Sequence, residues 1–196
     1  AWTLGATGRG VAIGIIDSGI DTSNSEFSGR ILPGSADVAD SGRSLTNPDD
    51  DHGTLVALVA AGARNNSGVM GVAYEANILA MRADSTGSCT QPDGCAFFDS
   101  AIAAGIDRSV QNGAKVINIS LGGSPPSNSV RSAVARAASA GVVIVVSAGN
   151  DADSPTPSQD PNNPDPFSVG IRAAGNGNVI IAGSVSDDEA RETYPD

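Results

Sequence analysis

Short continuous apolar runs alternate with longer alanine-rich stretches along most of this chain, and this alternation restricts the possible folds most strongly. Runs of five to eight residues, rich in Val and Ile and without polar alternation, are typical of strands buried on both faces by crossover helices. We therefore predict an α/β fold, with a mostly parallel sheet, helices on both faces and five central strands. The predicted strands are 11–16, 77–82, 114–121, 142–147 and 179–183.

The alanine-rich stretches predict crossover helices at 52–63, 100–111 and 128–140. Asp99 and Ser127 are candidate N-caps, and Gly113 and Gly141 follow the predicted C-termini. Right-handed crossovers place the carboxyl ends of parallel strands along one edge of the sheet, where open α/β folds bind their ligands. We expect the chemistry of the chain at this edge.

Five prolines fall between 151 and 168, among Asp, Asn and Ser. Proline lacks a backbone donor and clashes inside a helix, so we predict one long surface loop there, without a helix or a central strand. A flexible linker is the alternative, but the strand pattern that resumes at 179 favours an excursion within one domain. We expect residues 1–196 to belong to a single domain.

Charge and apolar content limit the classes of partner. The chain has 11 Lys+Arg and 22 Asp+Glu, which gives a net charge of −11, and it has no basic run that could neutralise phosphates or anionic lipids. We therefore expect no nucleic-acid partner. No apolar run approaches the roughly 18 residues that a membrane helix needs, so we expect no membrane span.

Metal binding is limited by the small number of soft ligands. One His and two Cys cannot supply the four ligands of a structural zinc site. We expect no cofactor and assign no metal site. Calcium stays possible through five aspartates that lack EF-hand spacing, although aspartates that keep the protein soluble are the simpler interpretation. These aspartates are Asp37, Asp40, Asp49, Asp50 and Asp51.

The two cysteines, Cys89 and Cys95, flank a Pro-Asp-Gly turn and are close enough in sequence to close a small loop. A disulfide here favours an oxidising, extracytoplasmic compartment. The alternative is two unrelated buried thiols. The chain begins without a charged and apolar leader, which is typical of a mature or trimmed product.

Three polar residues stand where the predicted sheet edge should lie. Asp17 is the first charge after the first apolar run, and His52, the only histidine, directly precedes an apolar helix. A carboxylate that fixes an imidazole is what nucleophilic hydrolysis needs. Asn150 ends the fourth run, and its amide can donate to a developing negative charge. Taken singly, the three also fit a turn cap, a structural histidine and a turn residue.

Together with their surrounding motifs, these residues resemble the subtilisin-like serine proteases, or subtilases. The resemblance implies a subtilisin-like serine endopeptidase in which Asp17 orients His52, His52 is the general base and acid, and Asn150 is the oxyanion donor. The motifs, in family order, are Ile15-Ile-Asp17-Ser-Gly-Ile-Asp21, His52-Gly-Thr, Asn65-Asn-Ser-Gly-Val-Met-Gly-Val-Ala73, Val116-Ile-Asn-Ile-Ser-Leu-Gly-Gly123 and Ser147-Ala-Gly-Asn150.

The same resemblance implies how a substrate binds. Ser120, Leu121 and Gly122 resemble the segment that pairs with an extended peptide or protein substrate by strand addition. The stretch around Gly87 is similar to the opposing edge strand. Residues 178–186 resemble a segment of subtilases that include the autotransported bacterial branch, which implies a secreted or cell-surface bacterial enzyme. Subtilases also often carry calcium.

One departure from the family pattern matters most. Subtilases carry their nucleophile in a Gly-Thr-Ser-x-Ala-x-Pro segment downstream of the asparagine, and no Gly-Thr-Ser occurs between Asn150 and Asp196. We therefore expect a C-terminally incomplete catalytic domain that needs the segment with the nucleophile as a partner and is inactive alone. The alternative is a catalytically dead subtilase-like module that binds peptides or proteins.

Overall fold

The computed structural model describes residues 1–39, 42–91, 94–149 and 165–183. They form a six-stranded sheet in the order β2-β3-β1-β4-β5-β6, in which all neighbouring strands run parallel. The predicted α/β fold with a mostly parallel sheet is confirmed. The strands are β1 (Ala12–Asp17), β2 (Ala36–Asp37), β3 (Asn77–Arg82), β4 (Val116–Ile119), β5 (Val143–Ser147) and β6 (Val179–Ala182).

In the described part of the chain, four α-helices connect the strands and cover both faces of the sheet. Ile16 of β1 belongs to the apolar cluster formed with α2, α3 and α4, whereas Ile13 and Ile15 belong to the cluster formed with α1. Successive side chains of a strand point to opposite faces, so a continuous apolar run fills two cores at once. The helices are α1 (His52–Ala61), α2 (Asp99–Gln111), α3 (Asn128–Ser139) and α4 (Pro166–Ala174), and short 3₁₀ helices cover Trp2–Leu4, Ser25–Phe27 and Ser88–Thr90.

Helix α4 corrects the prediction that 151–168 holds no helix, because this helix begins at Pro166. Proline is tolerated at the first helical position, where its missing N–H would have no intrahelical partner and its fixed φ suits the helix. The Asp165 side chain caps the helix by accepting a hydrogen bond from the backbone N–H of Ser168, at 3.2 Å. A proline next to an aspartate thus begins the helix here.

The edges of the sheet also differ from the prediction. Within the described ranges, β2 and β6 form the two edges, so the run 179–183 is not a central strand. Ile180 of β6 is 55% exposed. The two-residue strand β2 is too short to carry a detectable hydrophobic pattern, which is why the sequence did not predict it.

The predicted helix ends are mostly confirmed. Gly113 and Gly141 follow α2 and α3 with φ values of 84° and 75°, in the left-handed region that favours glycine. Ser127 is the N-cap residue of α3. The N-cap of α2 is Phe98, however, and Asp99 is the first helical residue. The Asp99 carboxylate instead accepts a hydrogen bond from the Ser127 backbone at 2.7 Å, which ties the start of α3 to the start of α2.

None of the helices in the described ranges is long and apolar enough to cross a bilayer.

Candidate active site

Asp17 and His52 meet at the carboxyl edge of the sheet. Asp17 is the last residue of β1, a central strand, and His52 is the first residue of α1. The Nδ1 atom of His52 lies 2.8 Å from Oδ1 of Asp17. Asp17 is fully buried, whereas 54% of the His52 side chain is exposed. The expected contact between the strand end and the helix start is therefore present.

The carboxylate of Asp17 is held in a fixed orientation. Its Oδ1 atom accepts hydrogen bonds from the backbone N–H of Ser18 at 2.7 Å and from the Ser18 hydroxyl at 3.2 Å. Its Oδ2 atom is buried and has no hydrogen-bond partner among the described residues. A buried carboxylate that is incompletely paired gains strongly from a protonated imidazole beside it.

Asp50 fixes the backbone of the histidine. Its Oδ1 atom accepts a hydrogen bond from the His52 N–H at 2.8 Å and lies 3.5 Å from the Ser18 hydroxyl oxygen. The Ser18 hydroxyl also accepts from the Gly53 N–H at 3.3 Å. Two side chains thus satisfy the first free N–H groups of α1, which would otherwise lack partners. From the sequence, Asp50 was predicted only as a possible calcium ligand or as a residue that keeps the protein soluble, and this role was not predicted.

The charges around the ring raise the pKa of His52 above its ordinary value. The hydrogen bond to Asp17 is the largest cause, and the negative charges of Asp17 and Asp50 add to it, while partial burial of the ring acts in the opposite direction. An imidazole with a raised pKa accepts a proton more readily, which suits a general base that becomes an imidazolium during the reaction.

The removal of the Asp50 charge should therefore lower the pKa of His52. In Asp50→Asn, the amide oxygen can still accept the hydrogen bond from the His52 N–H, but the negative charge is lost. His52 is the only histidine, so the histidine ring signals in an NMR titration belong to it without further assignment. Asp51→Asn, which changes an exposed neighbour, is the matched control and should leave the pKa nearly unchanged. A pKa in Asp50→Asn equal to or above that of the parent would contradict this electrostatic account.

Gly53 allows α1 to approach the sheet closely enough for the pair to form. A Cβ atom at this position would lie 2.1 Å from the Gly19 carbonyl oxygen and 3.0 Å from Cβ of Asp17. Backbone atoms cannot yield to such a contact as a flexible side chain can. The His-Gly dipeptide at the start of α1 is therefore a packing requirement.

The substitution Gly53→Ala should push α1 away from β1 and destabilise the fold. Overpacking of this kind costs about 1–3 kcal/mol in the free energy of unfolding, measured by urea denaturation. Gly183→Ala is the control, because its new Cβ would find its nearest neighbour, Cβ of Ala148, at an ordinary 3.9 Å. Equal stabilities of the two variants would show that α1 is not packed against β1 as described.

A cleft of about 380 Å³ opens beside the pair. Its lining includes the three residues predicted to bind substrate, Ser120, Leu121 and Gly122, which directly follow β4. The Leu121 carbonyl oxygen accepts a hydrogen bond from the Ser147 hydroxyl at 2.9 Å, which joins the ends of β4 and β5. The parallel order of the sheet thus brings the Asp17–His52 pair and the predicted binding segment to one cleft.

The disulfide between Cys89 and Cys95 is present, and Cys95 lines the same cleft. Gly87 lies in a turn before the 3₁₀ helix Ser88–Thr90, where its carbonyl oxygen accepts a hydrogen bond from the Thr90 hydroxyl at 2.9 Å. It is not among the residues that line the cleft, so its substrate-binding role stays a prediction. Asn150 lies outside the described residues.

Three of the aspartates considered for calcium, Asp37, Asp49 and Asp50, have other partners. Asp37 pairs with Arg43 at 3.2 Å, and Asp49 pairs with Arg82 at 2.6 Å. The described residues contain no group of three or more His, Cys, Asp or Glu side chains that could hold a metal ion. Asp40 lies outside the described residues.

Comparisons with known proteins agree with this geometry. The family model described as "Subtilase family" matches residues 8–195. Subtilisin DY from Bacillus licheniformis is 38% identical over 151 residues, which are 76% of this chain and 51% of that protein. Thermitase from Thermoactinomyces vulgaris is 36% identical over 176 residues, which are 89% of this chain and 57% of that protein. The chain thus spans about half the length of these relatives.

A solved structure supports the fold assignment as well. The crystal structure of fervidolysin from Fervidobacterium pennivorans, described as a keratinolytic enzyme related to subtilisin, superposes with a TM-score of 0.66 and 28% sequence identity. The match covers 81% of this chain and 23% of that chain.

Proposed function

The chain belongs to the subtilase family, and on that premise we propose that it supplies the acid–base half of a subtilisin-type serine endopeptidase. The observation that carries this proposal is the 2.8 Å contact between His52 Nδ1 and Asp17 Oδ1 at the mouth of a cleft. We further propose that residues 1–196 are part of one subtilase catalytic domain.

In this proposal, Asp17 holds the imidazole in the tautomer that carries its proton on Nδ1. The free Nε2 atom of His52 takes the proton from a serine hydroxyl as that oxygen attacks the peptide carbonyl, and later gives it to the leaving amine. Asp17 stabilises the imidazolium between these two steps without becoming protonated itself. The raised pKa of His52 supports this role.

Substrate binding is assigned to the segment after β4. The backbone of Ser120, Leu121 and Gly122 pairs with an extended peptide or protein segment, which gives affinity through main-chain hydrogen bonds. The exposed position of Gly122 beside the cleft supports this assignment. Asn150 is proposed to donate its side-chain amide to the oxyanion, a contact whose removal typically costs about 10² to 10³ in rate.

The nucleophile is proposed to come from a segment that carries the family's Gly-Thr-Ser. This tripeptide does not occur in the 196 residues, and within the described part of the chain no serine hydroxyl is hydrogen-bonded to His52. We therefore propose that the chain alone does not hydrolyse peptides. Hydrolysis measured with and without such a segment tests the proposal.

The outer face of α1 supports the existence of such a partner segment. The inner face of this helix is buried through Ala57 and Ala61, yet Leu55 and Val59 on the outer face are 58% and 62% exposed. A helix that is apolar on all sides is normally buried on all sides. The exposed side chains of Leu55 and Val59, on the helix that begins at His52, are thus available for contact with another part of the enzyme.

The cellular setting is proposed from the same observations. A disulfide at the cleft favours an oxidising compartment outside the cytoplasm, and the compared relatives are bacterial. We propose a secreted or cell-surface bacterial protein. Membership of the autotransported branch stays a prediction, and calcium binding is left without an assigned site.

A further inference from the structure

A buried arginine is the neighbour of Asp17 on the adjacent strand. Arg82, the last residue of β3, is the neighbour of Asp17 in the parallel register of β1 and β3. It is only 1% exposed, and it is among the largest fully buried side chains of the described residues. Burial of a guanidinium costs free energy unless its hydrogen bonds are made within the protein. The partners of Arg82 should therefore show why this side chain is buried.

The guanidinium of Arg82 holds the loop that leads to His52. Its Nη1 atom donates to the carbonyl oxygen of Ser44 at 3.1 Å and, more weakly, to that of Asn47 at 3.4 Å. Its Nη2 atom pairs with the carboxylate of Asp49 at 2.6 Å. Asp49 lies three residues before His52, so Arg82 fixes the chain immediately before the start of α1.

The same guanidinium is anchored on its other side by Asp84. The Nε atom of Arg82 lies 3.0 Å from Oδ1 of this fully buried carboxylate. Arg43 also pairs with Asp84, at 2.5 Å. Asp84 in turn forms an isolated antiparallel bridge with Phe97, a residue that lines the cleft. The cluster therefore connects the loop before His52 to Phe97 in the lining of the cleft.

We propose that Arg82 is a positioning residue for His52. From the end of β3, its hydrogen bonds and ion pair hold the loop 44–49 in place, which sets where α1 begins and so keeps the imidazole against Asp17. The catalytic meaning of this inference rests on the proposed function, but the positioning itself does not. The planar guanidinium can reach Asp84, Asp49 and backbone carbonyls at once, because its five donors point in fixed directions.

Lysine provides the matched test, because it keeps the positive charge and removes the planar set of donors. In Arg82→Lys, a single ammonium cannot bridge Asp84 and the loop, so the loop should loosen while the buried carboxylate keeps a cation. The effect is measured on His52 in the 196-residue chain, by NMR. We expect its pKa to fall toward the ordinary value of a histidine, and the downfield NMR signal of its Nδ1 proton to be lost or strongly broadened.

Two further variants keep the test decisive. Asp49→Asn alters a side chain that is 37% exposed and leaves the Arg82–Asp84 pair intact, so it should fold even if Arg82→Lys does not, and its Nδ1 signal should weaken. Arg136→Lys is the control, because Arg136 makes a comparable pair with Asp107 on the surface, at 2.7 Å. It should leave both His52 readouts as in the parent.

The outcomes separate this inference from the proposed function. If the parent chain shows a raised His52 pKa and a downfield Nδ1 signal, and both Arg82→Lys and Asp49→Asn keep them, Arg82 is merely structural and the inference is wrong. If the parent itself lacks both properties, the Asp17–His52 pair is not formed in solution and the proposed function fails first.

Discussion

Assayed alone against an unfolded polypeptide, the 196-residue chain is expected to release no peptides above background. With a subtilase segment that carries Gly-Thr-Ser added in trans or fused, hydrolysis should rise by about 10⁶-fold, because removal of the serine from a subtilisin costs about 2 × 10⁶ in kcat. The physical reason is that His52 can only take a proton from a nucleophile that is present. Peptide release measured by amine labelling or mass spectrometry gives the rate of the complemented protein and an upper limit for the chain alone.

The matched control is the same segment with its serine replaced by alanine, which should dock on the outer face of α1 but restore no activity. Hydrolysis by the chain alone at the rate of the complemented protein would show that a serine within the 196 residues acts as the nucleophile. A complemented protein that binds extended peptides without cleaving them would instead favour the alternative, a peptide-binding module.

The pairing of Asp17 with His52 was predictable because it follows from topology. In a parallel sheet every strand ends at the same edge, and a helix that enters the sheet from that edge places its first residue there. The sequence shows a charge at the end of one apolar run and a histidine at the start of an apolar helix, and few other arrangements satisfy both. Ser120, Leu121 and Gly122 also follow β4 at that edge, but they were predicted from the resemblance to subtilases and not from topology.

Other features depended on partners that are distant in sequence. Asp49 was considered for calcium because its carboxylate is one of several in a short stretch, whereas the structure pairs it with Arg82, 33 residues away. An ion pair between side chains so far apart leaves no pattern along the chain. The buried position of Arg82 is equally invisible, because an arginine at the end of an apolar run is usually solvated.

Helix α4 shows that proline, which breaks the interior of a helix, can also begin one. The prolines of 151–168 predicted a loop, since proline breaks a helix from inside. Pro166 is the exception because it occupies the first helical position, after an Asp165 side chain that caps the helix. An Asp-Pro pair before an apolar stretch was the available signal, and it was outweighed by the number of prolines around it.

In a protein that also carries the nucleophile, we expect the largest single-residue effects at the acid–base pair. His52→Ala should lower kcat by about 10⁶-fold, because loss of the general base costs about as much as loss of the serine. Asp17→Asn keeps the shape of the side chain but should lower kcat by about 10⁴-fold, because the amide favours the wrong imidazole tautomer. Steady-state kinetics on a peptide amide measure both effects.

The pH dependence distinguishes these effects from simple damage to the fold. His52 must be neutral to act as a base, so kcat/KM in the parent should rise with pH through the raised pKa of His52. This rise of kcat/KM with pH should disappear in His52→Ala. Asp107→Asn, which removes a surface partner of Arg136, is the control and should retain the parent's rate and profile. A parent-like pH profile in His52→Ala would mean that a group other than His52 is the base.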